Sequence, residues 1–289
     1  MISINTNYGG IFAAKASSQA TLRVDQAMER LSTGKRINHA RDDSAGQAIA
    51  TRLAAEIEGL AMASRNVADG QSLVDTAESA LVETHALLLR MREVSVQAAN
   101  GTLSDADNTA LNAEFQQLVA EIDRISDNTS WAGTKLLNGD STGNANTSAT
   151  FAFQAGVNNT TADTISVDIS NADAATLGIF DDSTTPGTND ITLTNATNAG
   201  AAIVAVDAAI AAVSTERGKL GAVSDRMSST MANLDQITVN LTASKGRIED
   251  ADFAAETGNL AKGQILQQAA TAMLAQANAS KQQVLTLIR

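Results

Sequence analysis

The sequence predicts a mainly α protein: a long coiled-coil or helical-bundle rod, a small β-hairpin region, and N- and C-terminal helices paired in a terminal coiled-coil domain. Three observations predict it. Aromatic residues make up only 3% of 289. Thick globular cores depend on such side chains, so thin helical layers fit better. The chain has one proline and is rich in Ala, Gln, Leu and Met, which favour long helices. Finally, Leu53, Leu60, Val67, Val74, Leu81 and Leu88 recur every seven residues. A second row, Ala63, Gly70, Ala77, Thr84, Met91 and Ala98, follows three residues behind from Leu60 onward. One large and one mostly small row make a heptad seam.

The first element runs over residues 4 to 33. Ala13, Ala16, Ala20, Val24, Ala27 and Leu31 form one narrow stripe. Gly34 is a helix stop, and "STGKRINHARDD" reads as a polar connector. Ser44 and Gln47 have capping-box spacing, with Asp42 and Asp43 where the helix dipole favours negative charge. From Ser44 to Asn100 the rod helix would be roughly 85 Å long at about 1.5 Å per residue. "NGTLSDAD" turns the chain. Ser104 then caps a helix to about Asp127, with Leu111, Phe115, Leu118, Ile122 and Ile125 on its apolar face.

The middle is different material. "GDSTGNANTS" and "DDSTTPGTND" are loop-rich, whereas "ATFAFQAG" and "DTISVDIS" alternate in period two and read as a hairpin. "DITLTN" is a candidate third strand. Helix returns near residue 200, with Ile203, Val206, Ile210, Val213 and Leu220 on one face. A last helix runs from near Asp250, its stripe formed by Leu266, Ala270, Met273, Ala277, Val284 and Ile288. The expected divisions are 1–43 (terminal helix and connector), 44–139 (rod), 140–199 (variable region with hairpin), 200–245 (rod) and 246–289 (terminal helix). Each terminal stripe is too narrow to fold alone. Paired together they still leave apolar surface, which points to burial by further copies of the chain.

Composition excludes other classes. The net charge of -12 argues against nucleic-acid binding. Without cysteine there is neither a disulfide framework nor a thiolate metal site. No unbroken run of 18 apolar residues is seen, so no membrane insertion is expected. The first residues lack a basic region followed by an apolar run, so no cleavable secretory signal is expected.

Several long motifs then carry a resemblance. "INTNYGGIFA", "RLSTGKRINHARDDSAGQAIATRL", "DGQSLVDTAESALVETHALLLRMREVSVQAANGT", "EIDRISDNTSWAGTKLLNG" and "RIEDADFAAETGNLAKGQILQQAATAMLAQANASKQQVLTLIR" resemble bacterial flagellin, in order, over about residues 2–139 and 200–289. The resemblance implies a structural subunit polymerising into the helical filament used for swimming, with a hook–filament junction or minor filament protein as the alternative. It implies export through the flagellar type III apparatus to an extracellular filament. Its implied partners are further copies of the chain, an export chaperone on residues 250 to 289, and the filament cap and hook-junction proteins. Leu285 joins the stripe residues as a chaperone and assembly contact. Lys281 stands where many members have proline, Trp131 where Phe is commoner and His39 where a small residue is usual.

"LLLRMREVSVQ" resembles the segment that a vertebrate Toll-like receptor reads in many flagellins. Arg90 and Glu114 match that pattern, and Val94 stands where Leu is common. The same residues could instead pack rod against rod. Other sites read as ordinary structure. "HARDD" could suggest a metal, but one imidazole and two carboxylates in a connector fit helix-start charge better. His85 is a lone rod histidine. No H-E-x-x-H, phosphate-cradling loop or Ser-His-Asp neighbourhood is present, so no cofactor and no enzyme activity are expected. Ser and Thr between 141 and 194 are candidates for O-linked sugars, again by resemblance.

Overall fold

A computed structural model describes residues 6–138, 149–180 and 191–288, with side chains as far as Gln283. The described residues form five α-helices: α1 (Tyr8–Thr33), α2 (Ser44–Ala98), α3 (Asp105–Asn128), α4 (Ala196–Glu249) and α5 (Phe253–Ile288). Two antiparallel hairpins complete the fold: β1 (Ser130–Trp131) with β2 (Thr134–Lys135), and β3 (Ala149–Gln154) with β4 (Thr164–Ile169). The chain divides into a terminal unit, residues 1–57 and 239–289, and a rod unit, residues 58–238. These divisions fall inside α2 and α4 rather than in the connectors where composition changes.

The helix ends are built by side chains. The Asn7 side chain accepts from Gly10 N–H at 3.0 Å, and Gly34 closes α1 with φ 71° while donating to Arg30 O. Glycine meets no Cβ clash at that left-handed position. Start of α2 departs from the expected capping box: Asp43, not Ser44, caps it, accepting from Gly46 N–H at 2.9 Å. Ser44 is already helical, so its side chain cannot reach back to the first free donors. Asp42 instead holds the connector, accepting from the Asn38 and His39 N–H groups. On α3, Ser104 and Asp107 form a reciprocal capping box.

In the rod unit, α2 and α4 run antiparallel. Gln71 bonds to Ser228, Arg217 to Glu78 and Arg92 to Asp207, so partner numbers fall as α2 advances. Leu60, Val67, Val74, Leu81 and Leu88 are buried, as are Ala63, Ala77, Thr84, Met91 and Ala98. Leu53, in the terminal unit, is half-buried. The matching seam of α4 is Ala199, Ala202, Val206, Ala209, Val213, Glu216, Leu220, Met227 and Leu234. Ile203 and Ile210, expected on that face, sit half-buried at its flank.

Phe115 and Ile122 of α3 are fully buried, with Val119 behind them. Leu111, Leu118 and Ile125 are half-buried. On the β3–β4 hairpin, Phe151 faces Val167 and Phe153 faces Ile165. Gly70 of α2 admits Phe153: a Cβ there would lie 3.0 Å from its ring. The short β1–β2 hairpin turns through Ala132 and Gly133, both with positive φ, which suits a two-residue turn.

The expected strand "DITLTN" is not one. Asp190 lies outside the described residues, and 191–195 form no ladder. Leu193 is buried, while Asn112 and Gln116 of α3 supply the backbone partners of Leu193 and Ile191. Side-chain amides have replaced strand pairing, so alternation alone misled. α4 contains an 18-residue window of mean hydropathy 1.6, long and apolar enough to cross a bilayer by composition. Alanine together with Ile203, Val204, Val206, Ile210 and Val213 supplies that apolarity. The seam residues Ala202, Val206, Ala209 and Val213 pack inside the rod unit, and Asp207 interrupts the stretch to pair with Arg92.

Candidate self-assembly surface

The terminal unit is an antiparallel pair of α1 and α5. Asn7 Nδ2 donates to Ala277 O and Asn278 Oδ1, Gln267 to Thr21, and Arg30 to Glu256 at 2.8 Å. Lys281, the departure noted above, donates to Thr6 O. Behind the helices the two connectors are stitched together. Arg36 N–H donates to Glu249 O and Ala251 N–H to Gly34 O, around a bridge between Lys35 and Asp250.

What this unit buries is unusual. Among the described residues, its buried apolar ones are Ala13, Ala20, Ala27, Ile37, Ala50 and Ala270. Five of those six are alanine. The seam of α5 is Glu256, Gly263 and Ala270, with Ala277 half-buried after them. Small side chains on both helices let the backbones approach closely. A Cβ at Gly263 would fall 2.8 Å from Val24 Cγ2. Val24 and Leu31 are half-buried beside the alanines. The sequence-derived C-terminal stripe is therefore only partly inside. Ala270 is buried, but Leu266 is 39% exposed and Met273 64% exposed. Val284, Leu285 and Ile288 have side chains outside the described residues.

Large side chains face outward instead. Tyr8, Ile11, Phe12, Leu22 and Met28 of α1 are exposed, as are Phe253, Ile265, Leu266 and Met273 of α5. Between the helices lies an open groove of about 400 Å³ walled by Phe12, Ala16, Leu266, Ala269, Met273 and Ala277. Exposed apolar surface of this kind marks an interaction site. Charge is unevenly spread too. The terminal unit holds twelve Lys and Arg against nine Asp and Glu, net +3; the rod unit holds eight against twenty-three, net −15.

The matching family models are the bacterial flagellin N-terminal helical region over residues 4–142 and the bacterial flagellin C-terminal helical region over 203–288. This chain belongs to the bacterial flagellin family. It is 45% identical over 264 residues to a flagellin of Halalkalibacterium halodurans, covering 91% of each chain. It is 42% identical over 302 residues to a flagellin of Bacillus subtilis, covering 99% of each. A solved structure from Vibrio parahaemolyticus, described as a flagellar hook-associated protein, matches with TM-score 0.58 at 16% identity, over 72% of this chain and all of that one. That likeness concerns the fold alone. Flagellins are structural proteins, and this chain is a structural subunit of the flagellar filament, an extracellular appendage.

The remaining sequence-derived sites fall as follows. Arg90 is exposed and pairs through two nitrogens with Glu114 Oε1, at 3.0 and 2.7 Å, and through the third with Glu93. The Glu114 carboxylate, then Glu93, raises the Arg90 guanidinium further above its usual range. Val94 is only 1% exposed. It shares the buried face of α2 with Met91 and Ala98, so the folded rod covers the Val94 side chain that the resemblance marks as a receptor contact. The His39 imidazole lies 2.9 Å from Glu29, and only its backbone N–H meets an aspartate. Asp42 has its carboxyl lowered chiefly by the His39 N–H.

Proposed function

We propose that this chain polymerises through its terminal unit, with the groove between α1 and α5 covered by neighbouring copies in the filament. The inverted packing of that unit, alanine inside and Phe12, Ile265, Leu266 and Met273 outside, carries the reading. A stable isolated hairpin would bury its large residues first, since burial stabilises by roughly 25 cal/mol per Å². Open, repeating contacts of this sort extend a helical polymer rather than close a ring. The same exposed surface is a hazard before assembly. An export chaperone on residues 250 to 289, delivery without a cleaved signal, and end contacts with cap and hook-junction proteins complete the proposal.

Near-complete coverage of flagellins at over 40% identity favours the filament subunit over a junction or minor filament protein. Seeded electron microscopy tests this, comparing the full chain with a version ending at Asp250. Long tubes from the full chain alone support the reading. Tubes from both place the driving contacts in the rod unit. Tubes from neither favour the junction protein. Recognition by a Toll-like receptor is carried only by the exposed Arg90–Glu114 pair, since a planar guanidinium makes directed bonds at an interface. A reporter assay silent at saturating monomer removes it.

A further inference from the structure

The chain has no cysteine, so methionine is its readily oxidised sulfur. Its methionines are not equivalent. Met91 and Met227 are fully buried in the rod unit, whereas Met28, Met62 and Met273 are exposed. Of these, Met273 alone lines the apolar groove, opposite Phe12 and beside Leu266, with its side chain 64% open. A thioether is apolar and adaptable, which suits a wall that must mould to a partner. Its sulfoxide is polar and chiral, and does not suit such a wall.

We propose that Met273 is an oxidation site that gates self-assembly. A hydroperoxide reaches its sulfur in the free chain, and the resulting sulfoxide keeps that copy out of the polymer. In the reaction the Met273 Sδ lone pair attacks one peroxide oxygen. The O–O bond breaks, an S–O bond forms, and the proton on the transferred oxygen passes to the departing hydroxide, which leaves as water when the oxidant is hydrogen peroxide. The sulfur loses two electrons and the peroxide gains them. A methionine sulfoxide reductase, drawing on a thiol reductant, reverses the change. The gate has a physical origin. Covering the groove strips water from the sulfoxide oxygen, and no groove-lining side chain except Gln276 and Ser280 offers a donor.

This inference rests on the proposed burial of the groove in the polymer, so the test separates the two. Monomer oxidised to about half occupancy with hydrogen peroxide is seeded, and filaments and supernatant are compared by peptide mass spectrometry. Met273 sulfoxide is expected to be depleted in the filament by about tenfold, a factor that about 1.4 kcal/mol of lost affinity produces. Equal amounts in the two fractions overturn the inference. Finished filaments are then treated with the same peroxide. Met273 oxidising as fast as in the monomer shows that the groove is open in the polymer, and it overturns the groove reading itself. Protection of Met273 there, with equal partitioning of its sulfoxide, keeps the groove reading and discards the gate. Met273→Leu keeps the wall apolar. It is expected to elongate equally before and after peroxide, while oxidised wild type recovers on sulfoxide reductase treatment.

Discussion

In the rod unit, large side chains are inside: Phe115, Leu81, Leu88, Met91, Ile122, Leu136, Leu137 and Met227 are fully buried. In the terminal unit, alanine and glycine line the helix contact, and Tyr8, Phe12, Ile265 and Met273 look outward. Both use antiparallel helices and seven-residue spacing, so local structure does not distinguish them. Area does. Burying a Leu or Phe side chain stabilises by about 1.5–3 kcal/mol, and an alanine methyl by a fraction of that. The rod unit therefore carries its own stability, and the terminal unit leaves its large apolar side chains exposed. The charge contrast runs the same way, for −15 on the rod unit keeps free chains apart while +3 on the terminal unit hardly opposes approach.

One tryptophan and one tyrosine make the comparison measurable. Trp131 lies in the rod unit and Tyr8 in the terminal unit. The largest effect is expected from Phe115→Ala, which empties the centre of the rod core and costs about 3–5 kcal/mol. The Trp131-reported denaturation midpoint should fall sharply. If it does not, the rod unit is not the self-sufficient half. Next, Leu266→Ser with Met273→Ser should slow seeded elongation by about tenfold or more, as two apolar contacts are lost. The Trp131 transition should stay where it was, and a parallel fall would mean that these residues stabilise the free chain.

A smaller effect is expected from Gly263→Val, because the new side chain meets Val24 where even a Cβ has only 2.8 Å. Overpacking typically costs about 1–3 kcal/mol. It should loosen the α1–α5 pair, read as faster amide exchange along both helices, without moving the Trp131 signal. Smallest is the connector. Asp42 is held below its usual range by the His39 N–H. Its contribution is present above the ordinary carboxylate pKa and is lost as pH falls through the lowered folded value. The His39 amide shift, followed by NMR on acidification, should titrate below the ordinary aspartate range. Titration at a higher pH would mean that the bond is not formed in solution.

The seam of α2 was legible because its two rows differ. Leucine and valine at one position and small residues three places later leave a single way to turn the helix inward. The capping of α3 was legible for a similar reason, since Ser104 and Asp107 satisfy each other locally. Less legible was α5. The spacing puts Leu266 and Met273 on one inner stripe with Ala270 and Ala277, and leaves Gly263 outside it. The structure turns the smaller row inward. Val94 misled in the opposite sense: resemblance marked it as surface, although it lies three residues beyond buried Met91. The segment 191–195 alternated like a strand, yet its backbone partners are the side chains of Asn112 and Gln116, which no local pattern announces.

The sequence by itself determined that the chain is mainly helical, that Gly34 ends the first helix and Ser104 caps the third, that a β3–β4 hairpin interrupts the helices, and which family the chain belongs to. These follow from period, caps and motifs, all set within a few turns of backbone. Only the tertiary structure decided which of two neighbouring rows on α5 faces α1. The period is the same for both rows. The choice depends on how closely the partner backbone approaches, and Val24 against Gly263 permits an approach that Leu266 and Met273 in the seam would prevent. That choice leaves the larger row exposed on the chain, where a second copy can use it.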